Sequence, residues 1–179
     1  MLTIAAREDV SPCAPRSFVR RRMTTWALSN VLFALVAIAA CGDGSTAPKD
    51  ASYAAVLTGV NEIPPRSTAG TGSARFDVRG GVASYQVVVS NLSAPATLVH
   101  LLIGSRDVVG TVIANLPVSA PTGTIATGTL DLRGSITFNN TTISGDSLRA
   151  LFENGNSYVN VYTATYPAGE VRGQLARVP

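Results

Sequence analysis

The sequence predicts an all-β domain, an antiparallel sandwich or barrel of about eight strands with one short helix. From Tyr53 onward, short runs rich in β-branched residues recur between Gly, Pro and Asn residues. This spacing of short strands and turn signals is typical of antiparallel sandwiches and barrels. In one of the runs charged and apolar side chains alternate, which places them on opposite faces of a strand.

The predicted strands follow one another with few residues between them. The first covers Tyr53 to Leu57, and the alternating run extends from Ala74 to Arg79. Gly80-Gly81 then leads into a strand from Val82 to Ser90, and we expect a tight hairpin turn because both glycines tolerate a positive φ. The other predicted strands are Thr97 to Ile103, Val108 to Leu116, Gly123 to Leu132, Tyr158 to Thr163 and Glu170 to Leu175.

One interval departs from the β pattern. Leu148, Leu151 and Phe152 recur at the i, i+3, i+4 spacing of a helix face. N-cap candidates begin at Ser144, and Asn154-Gly155 is a typical end signal. We therefore predict a helix of about two turns that packs over one end of the sheets and fills the core. The polar stretch 139–142 before it is predicted to be a loop.

The N-terminal region has the layout of a secretory signal. Three arginines at positions 20–22 precede an apolar run from Trp26 to Ala40, which ends in small residues directly before Cys41. The run is shorter than the roughly 20 residues that cross a bilayer, and cleavage before a cysteine is typical of lipid-modified exported proteins. We expect a leader over residues 1–40, a lipidated Cys41 with a flexible tether to residue 52, and a β domain over residues 53–179.

Charge and cysteine content restrict the function classes. Five of the 14 Lys and Arg residues and two of the 11 Asp and Glu residues precede Cys41, so nine of each remain. A neutral domain lacks the basic excess of a nucleic-acid-binding surface. The other cysteine, Cys13, lies in the leader, so the domain has no pair of thiols for a disulfide or a cysteine-based metal site. We expect no nucleic-acid partner and no cofactor.

Three segments resemble the chordin-type (CHRD) domain, which occurs in animal chordin and in bacterial envelope proteins. Gly59 to Pro65 is similar to its opening motif, G-x-N-E-V-P-P. Tyr158 to Thr163 and Pro167 to Leu175 are similar to its closing motifs, Y-V-N-V-H-T and P-x-G-E-I-R-G-Q-L. Val99 to Gly104 takes the place of its H-I-H-x-G. The resemblance implies a Greek-key β-sandwich, immunoglobulin-like or superoxide-dismutase-like, with no established enzymatic reaction.

This chain lacks two histidines of that pattern. Leu102 and Tyr162 replace them, so His100 alone remains. Because a closed zinc or copper site ordinarily needs three or four protein ligands, we expect no metal site. His100 shares a strand face with Leu98 and Leu102, which predicts a half-buried imidazole that is hydrogen-bonded to a neighbouring backbone group.

Several polar residues are candidates for a binding contact or a structural role. Glu62 and Glu170 suggest a carboxylate pair, but the sequence does not fix their separation. Glu170 and Arg172 lie on one strand face, which predicts cross-strand ion pairing, and Pro64-Pro65 is expected to end the first strand. Asn160 faces the same way as Tyr158 and Tyr162. This arrangement suits the binding of a sugar or a peptide, or equally a hydrogen bond to the backbone of a turn. The full set of candidates is Asn61, Glu62, His100, Asn160, Glu170 and Arg172.

The sequence thus predicts a non-catalytic, extracytoplasmic lipoprotein of the bacterial cell envelope, whose domain binds a partner or has a structural role. Its expected partners are the membrane, through the lipid anchor, and an unidentified envelope protein or glycan. Two alternatives remain open. The remnant of the H-x-H motif suggests a metal-dependent redox protein of dismutase type, and Asn160 suggests a carbohydrate-binding or adhesion module.

Overall fold

The computed structural model describes residues 50–179, so the predicted leader, Cys41 and most of the predicted tether lie outside the described residues. A 3₁₀ turn, Gly59–Asn61, follows the first strand, and one helix, α1, covers Gly145–Glu153. No helix in the described part of the chain is long and apolar enough to cross a bilayer. The strands are β1 Ala51–Thr58, β2 Thr71–Arg79, β3 Val82–Ser90, β4 Ala96–Ile103, β5 Thr111–Asn115, β6 Gly123–Asp131, β7 Ser135–Phe138, β8 Thr141–Ser144, β9 Ser157–Thr163, β10 Val171–Gln174 and β11 Ala176–Val178.

Every strand pair is antiparallel. Eight strands form one curled sheet in the order β5-β4-β9-β10-β1-β2-β3-β6, with β11 paired to β1, while β7 and β8 form a separate hairpin. β10 returns beside β1, the first strand of the β1-β2-β3 meander, which is the relationship found in a Greek key. Buried apolar side chains from both halves of the sheet meet in one core. The predicted all-β antiparallel class is confirmed.

The hairpin of β2 and β3 follows the predicted pattern. Phe76 and Val78 are buried, whereas Arg75 and Arg79 are exposed, as the period-two alternation requires. Gly80 and Gly81 have φ of 51° and 88°. The two glycines therefore make the expected two-residue turn, in which both central residues have a positive φ.

Some boundaries differ from the prediction. β1 begins at Ala51, so the last two residues assigned to the tether belong to the sheet, and it ends at Thr58 rather than at Pro64-Pro65. The stretch predicted as a polar loop is the turn and second strand of the β7–β8 hairpin. Asn139 and Asn140 have φ of 44° and 65° there. Asn tolerates this left-handed conformation better than other non-glycine residues. The two asparagines therefore form the turn of a hairpin where we predicted a loop.

Helix α1 fills the core, as expected. The Ser144 hydroxyl caps its first turn by accepting a backbone hydrogen bond. Leu148 and Phe152 are fully buried. The centroid of the Phe152 ring lies 5.2 Å from that of Tyr53 and 5.6 Å from that of Phe76. The helix thus completes an aromatic cluster between its own buried face and the strands β1 and β2.

We predict that Phe152→Ala lowers the free energy of unfolding by about 3–5 kcal/mol, because it leaves a cavity among buried aromatic rings. Leu151→Ala, on the half-buried side of the same helix, is the matched control and is expected to cost clearly less. Urea unfolding followed by circular dichroism measures both changes. Equal losses for the two variants would contradict the core-filling role of the helix.

Candidate functional site

A pocket of about 250 Å³ lies on the face of β9 and β10 that is turned away from the core. Tyr158, Asn160 and Tyr162 of β9 line it together, since alternate residues of a strand share a face. Arg172 of β10 lies opposite Asn160 in the strand register, and Glu62 approaches from the segment after the 3₁₀ turn. We call this site the β9–β10 pocket. Its remaining lining residues are Ile63, Leu102, Val109 and Ala168.

The pocket brings together three of the predicted site residues. Glu62 and Asn160 are each 5 % exposed and Arg172 is 2 % exposed. Charged residues are rarely buried to this extent without a partner of opposite charge. The other predicted site residues, Asn61, His100 and Glu170, do not line it. The structure therefore divides the six candidates into two groups.

The guanidinium of Arg172 packs on an aromatic ring. Its Cζ lies 3.5 Å from the centroid of the Tyr158 ring, and its Nη2 donates a 2.8 Å hydrogen bond to the carbonyl of Ser105. Within residues 50–179 neither Arg172 nor Glu170 forms a salt bridge. The predicted cross-strand ion pairing is therefore wrong, because both side chains already have other partners.

Glu62 and Asn160 each have a buried oxygen without a hydrogen-bond partner, Oε1 and Oδ1 respectively. The backbone of Gly169 packs against both: a Cβ added there would lie 2.6 Å from the Glu62 oxygen and 2.8 Å from the Asn160 oxygen. Burial raises the pKa of Glu62 to about 7, although the positive charges of Arg172 and Arg66 oppose this shift. Near neutral pH Glu62 is thus divided between its neutral and its charged form.

The aromatic wall of the pocket carries a neutral hydroxyl. Burial is the main cause that raises the pKa of Tyr162 to about 12. The ring of His100, whose Cα is opposite that of Asn160, lies edge-on to the Tyr162 ring at 5.1 Å between centroids. His100 is half-buried as expected, and burial lowers its pKa. Its Nδ1 lacks the backbone partner that we predicted, because the surrounding groups are aromatic rings.

Glu170 lies outside the pocket, and its side chain connects neighbouring segments of the fold. Its carboxylate is fully buried and accepts hydrogen bonds from Thr68 Oγ1 at 2.6 Å, Thr163 Oγ1 at 2.6 Å, and the backbone N and Oγ of Ser93, both at 2.8 Å. Burial alone would raise the pKa of Glu170, but these hydrogen bonds outweigh it and hold the pKa below its ordinary value. Glu170 and Glu62 therefore lie in different environments and do not form an acid–base pair.

Hydrogen bonds hold the loops around the pocket in place. The Asn61 amide donates to the carbonyl of Arg172 at 3.2 Å, which fixes the 3₁₀ turn to β10. The Tyr158 hydroxyl accepts from the backbone of Gly110 at 2.9 Å, and the Gln174 amide donates to the carbonyl of Gly104 at 2.7 Å. These bonds position the segment between β4 and β5, which supplies Val109. Sequence analysis did not single out Gln174 or Val109 as site residues, because only the folded chain places the segment between β4 and β5 beside β10 and the pocket.

The donor set does not suit a transition metal. Among residues 50–179, no three His, Cys, Asp or Glu side chains lie close enough together to hold a metal ion. Leu102 and Tyr162, at the positions where the CHRD-type pattern has histidines, both line the pocket. A leucine is no ligand, and a protonated phenol is a poor one for zinc or copper. The arrangement is suited to hydrogen bonding with a ligand.

Comparison with known proteins identifies a family. A model of the CHRD domain matches residues 53–175, which is more than half of the chain. The match covers nearly all the described strands and every residue that lines the β9–β10 pocket. A search of curated proteins found no match, and a search of solved structures found none either.

We predict that Glu62→Gln changes how stability depends on pH. The raised pKa in the folded state means that the folded protein holds the Glu62 proton more tightly than the unfolded chain does. The wild type should therefore lose up to about 3 kcal/mol from this group as the pH rises from about 4.5 through about 7. The neutral glutamine has no such loss, so the variant gains stability relative to the wild type over this range.

Urea unfolding of both proteins at several pH values between 4 and 8.5 measures this difference. His100, whose pKa is lowered by burial, is present in both proteins, so its contribution cancels in the comparison. A stability difference that stays constant with pH would contradict the assignment of Glu62 as a buried, proton-binding group.

Proposed function

Because this chain belongs to the CHRD domain family, we propose that it is an extracytoplasmic binding module. It acts through the β9–β10 pocket and is held at the bacterial cell envelope by a lipid on Cys41. The observation that carries the binding function is the polar composition of the pocket. A buried carboxyl and a buried guanidinium, those of Glu62 and Arg172, line one small pocket without forming a salt bridge.

Such an arrangement is costly for the folded protein unless a ligand uses it. Removing an unpaired charge from water costs several kcal/mol even after local relaxation. Burial disfavours the charged form of Glu62 and raises its pKa to about 7, whereas Arg172 has the Tyr158 ring and the Ser105 carbonyl as partners. The loops around the pocket are already fixed by hydrogen bonds. A largely preformed, partly apolar pocket with a few convergent polar groups is the usual form of a small-molecule site.

The pocket favours binding over catalysis. The lining residues include no Ser, Thr, Cys or Lys, so the Glu62 carboxyl and the tyrosine hydroxyls are the groups that could act as nucleophiles. The nearest imidazole, that of His100, packs edge-on against Tyr162 and does not line the pocket. The described side chains at this site thus supply hydrogen-bonding groups for a ligand, and no imidazole lies among them to serve as a base.

The lipid anchor is supported by the order of the N-terminal features. The charged, apolar and small residues before Cys41 follow the order of a signal peptide. Such a signal is removed by cleavage, and acyl chains are attached to the cysteine. Each buried methylene contributes about 0.8 kcal/mol, and stable anchoring takes more than a single chain. A multiply acylated Cys41 would meet that requirement, and the residues after it would connect the membrane to β1.

We predict that the protein produced in bacterial cells takes up a palmitate analogue and that Cys41→Ala does not, because the lipid is attached to this side chain. Cys13→Ala, which changes the other cysteine, is the matched control and should be labelled like the wild type. In-gel detection of the analogue measures the uptake. Equal labelling of the wild type and Cys41→Ala, or labelling of neither, would rule out the anchor.

We predict that the immobilised full-length protein retains a component of a solubilised envelope fraction. Ala168→Trp should abolish retention, because an indole at this exposed lining position would fill the mouth of the pocket. Ala164→Trp is the matched control: it lies in the same loop, is exposed and does not line the pocket. Protein and glycan staining of the eluate measures retention. Loss in both variants, or in neither, would argue against binding at this site.

A further inference from the structure

The β9–β10 pocket presents hydrogen-bond donors and acceptors side by side. Among the described residues, the Arg172 side chain makes one hydrogen bond, to Ser105, although a guanidinium carries five N–H donors. Glu62 and Asn160 line the same pocket and bring a carboxyl group and an amide group to it. The Tyr162 hydroxyl, protonated over the whole physiological range, adds a group that both donates and accepts. A ligand that satisfies this set must itself combine donors and acceptors.

A ligand with a single charge does not meet this requirement. A carboxylate or phosphate would pair with Arg172 but would bring its negative charge towards the oxygens of Glu62 and Asn160. An ammonium group would pair with Glu62 but would bring its positive charge towards Arg172. A hydroxyl group donates and accepts through one oxygen atom, so neighbouring hydroxyls can serve both kinds of group at once. The chemistry therefore favours a neutral, polyhydroxylated ligand over one that carries a single charge.

Size and apolar surface restrict the ligand further. The volume of about 250 Å³ is below the range of about 300–1,000 Å³ that is usual for drug-sized ligands, and it leaves room for one small ring. Ile63 and Ala168, together with Val109, which is 71 % exposed, add apolar surface to the lining. Leu102 adds a buried apolar group where the CHRD-type pattern has a histidine. Such surface suits the C–H groups of a sugar ring.

We propose that the β9–β10 pocket binds one neutral sugar ring, whose hydroxyls hydrogen-bond to Glu62, Asn160 and Arg172. This inference rests on the proposed binding function of the same pocket and names the class of its ligand. The apolar lining residues contact the C–H face of the ring. The Tyr162 ring, held edge-on by His100, forms the aromatic side of the site.

The test uses purified full-length protein in detergent and titration calorimetry with single compounds. The neutral probes are glucose, galactose, mannose and N-acetylglucosamine, and the charged probes are sodium acetate and ethylammonium chloride. We expect at least one neutral sugar to bind with a Kd on the order of 1 mM, and both charged probes to bind at least roughly tenfold more weakly. Binding of a charged probe more tightly than every sugar, or of no sugar at all, would overturn the proposal.

The matched pair of loop variants assigns the binding to the pocket. Ala168→Trp should weaken sugar binding by roughly tenfold or more, and Ala164→Trp should leave it unchanged. Circular dichroism of both variants establishes that they remain folded. Sugar binding that persists in Ala168→Trp would place the ligand elsewhere and would overturn the proposal.

The retention experiment separates failure of this inference from failure of the proposed function. If no sugar binds, but the wild type retains an envelope component that Ala168→Trp does not, the sugar class is wrong and the binding function stands. If neither sugar binding nor retention occurs, both fail. Direct binding of a sugar with the expected response of the two variants supports both.

Discussion

The buried carboxylate of Glu170 is the constraint on which the pocket depends. It accepts hydrogen bonds from Thr68, Ser93 and Thr163, which lie before β2, between β3 and β4, and at the end of β9. A buried carboxylate without such partners would cost several kcal/mol, so these three segments must converge when the domain folds. The loop after β1 that carries Glu62 is thereby fixed over β9. Gly169, the residue before Glu170, packs directly on Glu62, so the same stretch of backbone anchors the sheet and covers the pocket.

The two glutamates of this region differ in their hydrogen bonding. Glu170 is satisfied by hydroxyl and backbone donors, which keep its pKa low despite complete burial. Glu62 is almost as deeply buried but has an unpartnered oxygen, and its pKa is raised to about 7. A satisfied buried charge holds segments together, whereas a perturbed and unsatisfied one in a pocket is typical of a functional site. The two environments therefore distinguish the two glutamates where the residue types alone do not.

The predictable parts of the fold are those that neighbouring residues determine. The alternation in β2, the Gly80-Gly81 turn and the buried face of α1 all follow from local periodicity and backbone preference. The site is different, because Glu62 and Arg172 are brought together only when β10 pairs with β1 and β9. The i, i+2 spacing of Glu170 and Arg172 predicted a common strand face, but Glu170 lies just before β10 and the two side chains have different partners, so the predicted ion pairing was wrong. The hydroxyls around Glu170 come from distant segments with no local signal.

The segments that carry the family resemblance are the ones that meet at the pocket. The opening motif supplies Asn61, which ties the 3₁₀ turn to β10, and Glu62, while the closing motifs supply Asn160 and Arg172. The glycine of P-x-G-E is also required, since any Cβ at Gly169 would collide with the side chains of Glu62 and Asn160. The two positions that depart from the pattern, Leu102 and Tyr162, line the pocket. The motif residues named above are retained. In this chain the motif residues therefore build the pocket, and Leu102 and Tyr162 place an apolar group and a phenol in its lining where the pattern has histidines.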